Sequence, residues 1–317
     1  MHIGIVKLSA LGDIVHAMIV LQYIKKNLPN ATIDWIVEDR FAEVLKNNPH
    51  INNIHKVKLK NYKSGFLQEY KKLKKIKSYD VIIDLQGLIK SAIVSKILST
   101  NVIGFDKNSL REPLASLFYT KKYAIACEEN VILRNILLVL KALDFSIPNL
   151  QYKEPFLYST SKIDICPTLL IVVGSSWESK VYPKEKFVEI INALHVKTFI
   201  AWGNEAEKKR GKFICENTKA TLLPKLSLDE LKKVISNSSL VIGADSGPTH
   251  MAWALNVPSI TIFGPTPSSR NTLETDINLT VDCGKIINAK KLNKQDFCIQ
   301  QIKPGKIIKK AKKLLKC

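Results

Sequence analysis

The stretch LVIGADSGPTHMAWALNVPSITIFGP, residues 240–265, constrains the fold more than any other part of the chain. The apolar runs at 240–242 and 259–263 each predict a buried strand. Between them, a turn of small residues leads into a segment with Pro248 where the first turn of a helix tolerates proline. The pattern predicts a strand–turn–helix–strand unit. The start of its helix would present free backbone N–H groups to an anion such as phosphate.

Asp245 stands at the start of this predicted helix, where its carboxylate would repel a phosphate. Sugar hydroxyls beside the phosphates are better partners for it, because a carboxylate accepts hydrogen bonds from hydroxyl groups. An ordinary strand–helix turn capped by Asp245 explains the same pattern. Both interpretations stay open on the motif alone.

Strands and helices alternate twice along the chain, from residue 3 to about 143 and again from 168 onwards. Residues 151–167 lack this periodicity and contain Pro155 and Pro167, which is typical of a linker. The sequence therefore predicts an α/β protein with two Rossmann-like domains and mostly parallel sheets, residues 1–160 and 161–302. A basic helix is predicted at 303–317 and another helix at 110–119. The ligand site is expected in a cleft at the carboxyl ends of the strands.

The charge of the chain points to polyanionic partners. Lysine and arginine number 48 against 28 acidic residues, which gives a formal charge of +20. Residues 56–77 hold nine lysines and one glutamate, and residues 303–316 hold seven lysines and no acid. Such clusters suit phosphorylated substrates or an anionic membrane surface, although a solvated charged face explains them equally well. Nucleic acid is not expected as a partner, because no aromatic RNP strand or KH loop is present.

The cysteines and the apolar runs indicate a cytoplasmic location. The six cysteines form no CxxC pair, which favours free thiols in a reducing compartment. No run has the roughly 18 uncharged apolar residues that a membrane span needs. Asp13 and His16 interrupt the first apolar segment, so it lacks the pattern of a signal peptide.

Polar side chains collect on the turns that follow the predicted strands. In the second half, Ser175, Ser176 and Lys180 offer hydroxyl and ammonium donors that suit a diphosphate. Glu205 would accept from both hydroxyls of a ribose, or would simply cap its helix. In the first half, Asp13 lies in the first turn of a helix, where the helix dipole keeps a carboxylate ionised. An ionised carboxylate there could serve as a general base on an acceptor hydroxyl.

Three motifs carry a family resemblance, namely VKLSALGDIVH near the start, WGNE in the second half, and GADSGPTH. They resemble the ADP-heptose:lipopolysaccharide heptosyltransferases, glycosyltransferase family 9. YDVIIDLQGLIKSA at 79–92 and GFDKNSLREPLASLFYTKKYAI at 104–125 are similar to the family members that add the first heptose to the Kdo sugar of the inner core.

The resemblance implies a GT-B fold, with two Rossmann-like domains facing a central cleft and the last helix packing back on the N-terminal domain. It implies inverting transfer of L-glycero-D-manno-heptose from ADP-heptose to the 5-hydroxyl of Kdo in Kdo2–lipid A. The enzyme would work on the cytoplasmic face of the inner membrane, in peripheral contact with its anionic surface. No cofactor is implied, since ADP-heptose is a substrate and no DxD motif signals a metal.

The alternatives are a family member whose acceptor is a heptose already in place, a nucleotide-sugar 2-epimerase, and a non-catalytic GT-B protein that binds anionic lipid. By motif position, Asp13 matches the catalytic base of the family. The implied donor contacts are Ser175, Ser176, Lys180, Glu205, Asp245, Ser246, Gly247 and His250. The acceptor contacts are expected from Lys7, Ser9, Lys60, Lys63, Gln86 and Arg111.

Overall fold

The computed structural model describes residues 1–59, 66–76, 78–146, 153–289 and 291–316. The chain forms two compact units, Met1–Phe156 (unit 1) and Leu157–Cys317 (unit 2). The boundary lies a few residues before the expected one at 160. The acceptor candidates Lys60 and Lys63 lie outside the described residues.

Unit 1 is a parallel sheet whose strands are connected by helices. Its strands are β1 His2–Val6, β2 Thr32–Glu38, β3 Asn53–Val57, β4 Val81–Asp84, β5 Val102–Phe105 and β6 Lys121–Tyr123. Its helices are α1 Leu11–Met18, α2 Val20–Asn27, α3 Phe66–Lys74, α4 Ile89–Leu98 and α5 Val131–Ala142. The strand order is β3-β2-β1-β4-β5-β6, with every pairing parallel. The central strands are buried on both faces, which is why they read as continuous apolar runs in the sequence.

Unit 2 repeats this architecture. Its strands are β7 Leu169–Val172, β8 Thr198–Ala201, β9 Thr221–Leu222, β10 Leu240–Ala244, β11 Ser259–Phe263 and β12 Asn278–Asp282. Its helices are α6 Lys184–Leu194, α7 Glu205–Glu216, α8 Leu228–Ser236, α9 Gly247–Ala254, α10 Ser268–Asn271 and α11 Pro304–Leu315. The strand order is β12-β11-β10-β7-β8-β9, again with parallel pairing. The predicted α/β class with two Rossmann-like parallel sheets is confirmed.

The last helix belongs to unit 2. Ile307 and Ala311 on its apolar face are fully buried in the unit 2 core, and α11 packs on α6 and on β10–β12. The apolar face of this helix is therefore covered within unit 2, and the expected contact of the helix with the N-terminal domain stays a prediction. Its lysines lie on the remaining faces.

Two sequence predictions of local structure need correction. The segment 110–119, expected to be helical, is helical only over the six residues Pro113–Phe118, which form a 3-10 helix with Ala115 and Ser116 buried. The sheet-edge strands β6, β9 and β12 were not predicted, because they are short or mostly polar. None of the helices within the described residues is long and apolar enough to span a bilayer.

Each sheet has one point at which the strand order reverses. In unit 1 it lies between β1 and β4, and in unit 2 between β7 and β10. In open parallel sheets, ligands bind outside the carboxyl ends of the strands at this point. The turns that carry most of the predicted site residues follow these four strands.

Candidate functional site

Asp245, directly after β10, is the centre of the polar cluster in unit 2. Asp245 is 6% exposed, and four side chains converge on its carboxylate, those of Lys180, His250, Thr266 and Asn271. Oδ2 lies 2.9 Å from Nζ of Lys180 and accepts from the Thr266 hydroxyl at 2.8 Å. Oδ1 lies 2.8 Å from Nε2 of His250. The predicted residues Lys180 and His250 are therefore both in direct contact with Asp245.

This environment keeps Asp245 ionised. Burial alone would raise the pKa of the carboxyl group, but the Lys180 ammonium and the hydrogen bond with His250 outweigh it and hold the pKa well below its usual range. Because an ionised carboxylate only accepts hydrogen bonds, Nε2 of His250 must carry the proton that faces it. The cluster is a buried and mutually neutralising set of charges.

The turn after β7 meets the turn after β10 at the point where the strand order reverses. The Ser175 hydroxyl donates to the backbone carbonyl of Asp245 at 2.9 Å, and Lys180 reaches the same residue through its side chain. Ser176 is exposed beside them. Hydroxyl and ammonium groups are thus gathered in one place, as the sequence predicted for a diphosphate site.

Helix α9 begins at this position and brings its amino end to the cluster. Ser246 is its N-cap, with the side-chain oxygen 3.1 Å from the Thr249 hydroxyl, and Gly247 is its first residue. Thr249 is fully buried and donates to the carbonyl of Ala244. Pro248 removes one N–H from the first turn, so the backbone donors left to an anion there are those of Gly247 and Thr249.

The carboxylate that reaches the strand ends beside β7 and β8 is that of Glu207, not Glu205. Glu207 accepts from the backbone N–H of Gly203 and from the side-chain amide of Asn204, both at 2.7 Å. It lies so close to Gly174 that a Cβ there would overlap its carboxylate. Glu205 is instead largely exposed, with its oxygen 3.9 Å from Lys208 of the same helix. Glu205 stays the predicted ribose contact, and Glu207 is a second candidate because its carboxylate lies at the strand ends.

The sequence offered a signal for Glu207 that the interpretation missed. Asn204 followed three residues later by a glutamate is the pattern of a capping box, in which the acid folds back over the helix start. The structure shows a variant of this pattern, because Asn204 accepts from the backbone N–H of Glu207 at 3.0 Å while Glu207 reaches the backbone N–H of Gly203 and the side-chain amide of Asn204. A second missed feature is the aromatic ring of Trp177, which lies between two ammonium groups. Lys180 is 5.4 Å and Lys294 is 5.0 Å from its centroid.

In unit 1, hydrogen bonds link the turns after β1 and β4. The side-chain oxygen of Gln86 accepts from the backbone N–H groups of Leu8 and Ser9, each at 3.1 Å. Lys7 is 8% exposed, and its ammonium donates to the carbonyl of Leu85 at 2.8 Å. Lys7 therefore links these two turns, and its expected contact with the acceptor stays a prediction.

Asp13 is exposed in the first turn of α1. One carboxylate oxygen accepts from the backbone N–H of Ala10 at 3.2 Å, and the side chain as a whole is exposed. This arrangement suits a base, because the carboxylate is held at one oxygen and the side chain is accessible. Arg111 is exposed on the segment between β5 and β6.

The buried carboxylate of Asp84 is hydrogen-bonded to the turn at Gln86. Asp84, at the end of β4, accepts from the Ser91 and Tyr119 hydroxyls and from the backbone N–H groups of Gln86 and Gly87. Burial raises the pKa of Asp84, and the four hydrogen bonds act in the opposite direction. Gly87 has a φ of +70°, which favours glycine, and this completes the turn.

A metal site is not apparent in the parts of the chain that the structure describes, where no group of three or more histidine, cysteine, aspartate or glutamate side chains is arranged to hold an ion.

Comparison with known proteins identifies the family. The model of glycosyltransferase family 9, the heptosyltransferases, matches residues 68–298. The chain belongs to glycosyltransferase family 9. It is therefore a glycosyltransferase, as the sequence motifs predicted.

Relatives within family 9 match the chain over almost its whole length. Lipopolysaccharide heptosyltransferase 1 of Campylobacter coli is 42% identical, and the match covers 99% of each chain. The structure of the E. coli heptosyltransferase WaaC with ADP is 25% identical, with a TM-score of 0.84, and the match covers 99% of this chain and 100% of that one. WaaC with ADP-2-deoxy-2-fluoro heptose has a TM-score of 0.81 at 26% identity, with 98% of each chain covered. The predicted GT-B fold is confirmed by this likeness.

Proposed function

We propose that the protein transfers L-glycero-D-manno-heptose from ADP-heptose to the 5-hydroxyl of Kdo in Kdo2–lipid A, with inversion at the anomeric carbon. The observation that carries this proposal is the cluster of Lys180, Asp245 and His250, which occupies the ligand-binding position of a Rossmann-like sheet. The similarity to a lipopolysaccharide heptosyltransferase 1 over 99% of both chains supports the choice of reaction.

Unit 2 is the proposed donor unit. The backbone N–H groups at the start of α9 and the hydroxyls of Ser175, Ser176 and Ser246 would bind the diphosphate. Lys180 would supply positive charge to it, and Asp245 would accept from hydroxyls of the heptose. The ribose would be bound by Glu205 or by Glu207, whose carboxylate lies at the ends of β7 and β8. WaaC, which was solved with ADP and with an ADP-heptose analogue, supports this type of donor.

Asp13 is the proposed general base. It would remove the proton of the acceptor hydroxyl as that oxygen attacks the anomeric carbon from the face opposite the diphosphate. The bond from the anomeric carbon to the phosphate oxygen would break, and its electron pair would leave with ADP. The developing charge on ADP would be stabilised by Lys180 and the amino end of α9, so the reaction would proceed without a divalent metal.

Unit 1 is the proposed acceptor unit. Ser9, Gln86 and Arg111 are exposed or partly exposed near the turns after β1 and β4 and on the segment after β5, and they would contact the Kdo sugars and phosphates. Lys60 and Lys63 stay proposals for the same role. Because the acceptor is a membrane lipid, the enzyme would act in peripheral contact with the anionic cytoplasmic face of the inner membrane.

A mass-spectrometric transfer assay tests this function. The protein is incubated with ADP-heptose and de-acylated Kdo2–lipid A, and in parallel with a core that already carries one heptose. The proposal predicts a product heavier by one heptose from the first acceptor only. Transfer to the heptosylated core alone would show that the acceptor is a heptose already in place and not Kdo. Release of free heptose with either acceptor, without transfer, would contradict the proposed reaction.

A further inference from the structure

The 3-10 helix Pro113–Phe118 in unit 1 buries its small residues and exposes its leucines. Its small residues Ala115 and Ser116 are 0% and 5% exposed, whereas Leu114 and Leu117 are 62% and 73% exposed. In a 3-10 helix, residues three apart lie above each other on one face. Leu114 and Leu117, the leucine pair, therefore form one apolar ridge on the surface of the unit.

The leucine pair is held on a rigid frame. Before it, the carboxylate of Glu112 accepts from the backbone N–H of Ile89 at 2.8 Å, which fixes the segment to the start of α4. After it, the buried Tyr119 hydroxyl donates to Asp84 at 2.8 Å. Within it, the Ser116 hydroxyl donates to the carbonyl of Pro113 at 2.8 Å. An exposed loop could fold its leucines inward, but these bonds hold the ridge outward.

Basic residues flank the leucine pair along the chain. Residues 107–122 include four exposed basic side chains, Lys107, Arg111, Lys121 and Lys122. Glu112 is the acid within the same range, and its carboxylate is occupied by the N–H of Ile89. An apolar ridge flanked in the sequence by basic residues fits the interface of an anionic bilayer. Leucine side chains would enter the acyl boundary there, and the basic side chains would meet the phosphate headgroups.

We propose that the leucine pair inserts into an anionic membrane surface and so anchors unit 1 at the bilayer that holds the lipid acceptor. This inference rests on the proposed function for the identity of the acceptor, whereas membrane insertion itself is measured without it. The same frame places the ridge on the acceptor unit, because Tyr119 and Gln86 both bond to Asp84. Insertion would therefore hold the turn at Gln86 close to the headgroups.

The test compares two double variants for binding to phosphatidylglycerol vesicles. Leu114→Ser/Leu117→Ser removes the ridge, and Ile277→Ser/Ile286→Ser removes two exposed isoleucines of unit 2 as a matched control. Burying a largely exposed leucine changes a partition coefficient roughly tenfold, so the leucine variant should bind about 100-fold more weakly. The isoleucine variant should bind like the original protein. Equal binding by all three proteins, or equal loss in both variants, would overturn the proposal.

A second measurement reports insertion directly. In Leu117→Trp, brominated lipids should quench the added fluorescence, because the indole would lie in the acyl boundary. Quenching no greater than in the original protein would overturn the proposal.

With water-soluble de-acylated acceptor, the serine variant should keep its kcat/KM, and with vesicle-embedded acceptor it should lose activity. Absence of transfer by the original protein on both acceptors would refute the proposed function and leave the vesicle result standing.

Discussion

The buried ion pair between Lys180 and Asp245 allows a quantitative test of the unit 2 site. Asp245→Asn removes the charge that faces a 7% exposed ammonium. Removing one partner of a buried pair typically costs about 3–5 kcal/mol, because the remaining charge stays buried without compensation. We therefore expect the free energy of unfolding to fall by about that amount. Lys180→Met should also be destabilising, although His250 and Thr266 still donate to the carboxylate.

The double variant separates the pair energy from other effects. In Asp245→Asn/Lys180→Met neither charge remains, so its loss of stability should be smaller than the sum of the single losses by about 2 kcal/mol or more. Urea unfolding followed by tryptophan fluorescence measures this, since Trp177, Trp202 and Trp253 all lie in unit 2. Additivity within about 0.5 kcal/mol would refute the account of a neutralising pair.

The two single variants should differ in their affinity for ADP. Lys180→Met should weaken ADP binding by about tenfold or more, because a charge-assisted hydrogen bond contributes about 1.5–3 kcal/mol. Asp245→Asn leaves the ammonium in place and removes a negative charge beside the diphosphate, so it should not weaken ADP binding. Calorimetric titration with ADP measures both affinities. An equal loss in the two variants would show that Lys180 acts only through the fold.

Three further predictions concern the ribose contact, the acid stability of unit 1 and the metal requirement. If Glu207 is the ribose contact, Glu207→Ala should abolish the preference for ADP over 2′-deoxy-ADP in calorimetric titrations, and Glu205→Ala should keep it; the reverse pattern would assign the ribose contact to Glu205. Asp34 accepts from His2 and His55, and although burial opposes it, these bonds lower its pKa to about 2. The free energy that these bonds contribute, up to about 2 kcal/mol, should be present above pH 4 and lost as the pH falls towards 2. The difference in free energy of unfolding between the original protein and Asp34→Asn should therefore shrink over that range, as measured by tryptophan fluorescence in acid titrations. A constant difference would contradict this. Transfer should survive EDTA, and a loss that Mg²⁺ restores would contradict the metal-free mechanism.

Much of unit 2 could be predicted from its sequence because the signals are local. The apolar runs of β10 and β11 and the small residues between them specify a strand–turn–helix–strand unit without help from the rest of the chain. The turn of Ser175 to Lys180 could likewise be placed after a strand. The bond between the Lys180 ammonium and Asp245 could not be predicted. These residues are 65 positions apart, and their pairing depends on β7 and β10 being neighbours.

The placement of two side chains could not be predicted from the sequence, for identifiable physical reasons. Glu205 and Glu207 are two positions apart on one helix, and only the folding back of Glu207 over Asn204 decides which acid reaches the strand ends. Lys7 was expected to meet the carboxylates and phosphates of the acceptor. It is buried because the carbonyl of Leu85 on the neighbouring strand's turn accepts from it. Both outcomes depend on tertiary neighbours that periodicity does not reveal.

The most direct test of the central claim measures transfer and nucleotide binding together in Asp13→Ala. If Asp13 is the general base, heptosyl transfer to de-acylated Kdo2–lipid A should fall by about 10²–10⁴-fold. The affinity for ADP should not change, because the ADP contacts proposed here all come from unit 2. Transfer at the original rate, or a parallel loss of transfer and ADP affinity, would contradict the assignment of Asp13 as the base.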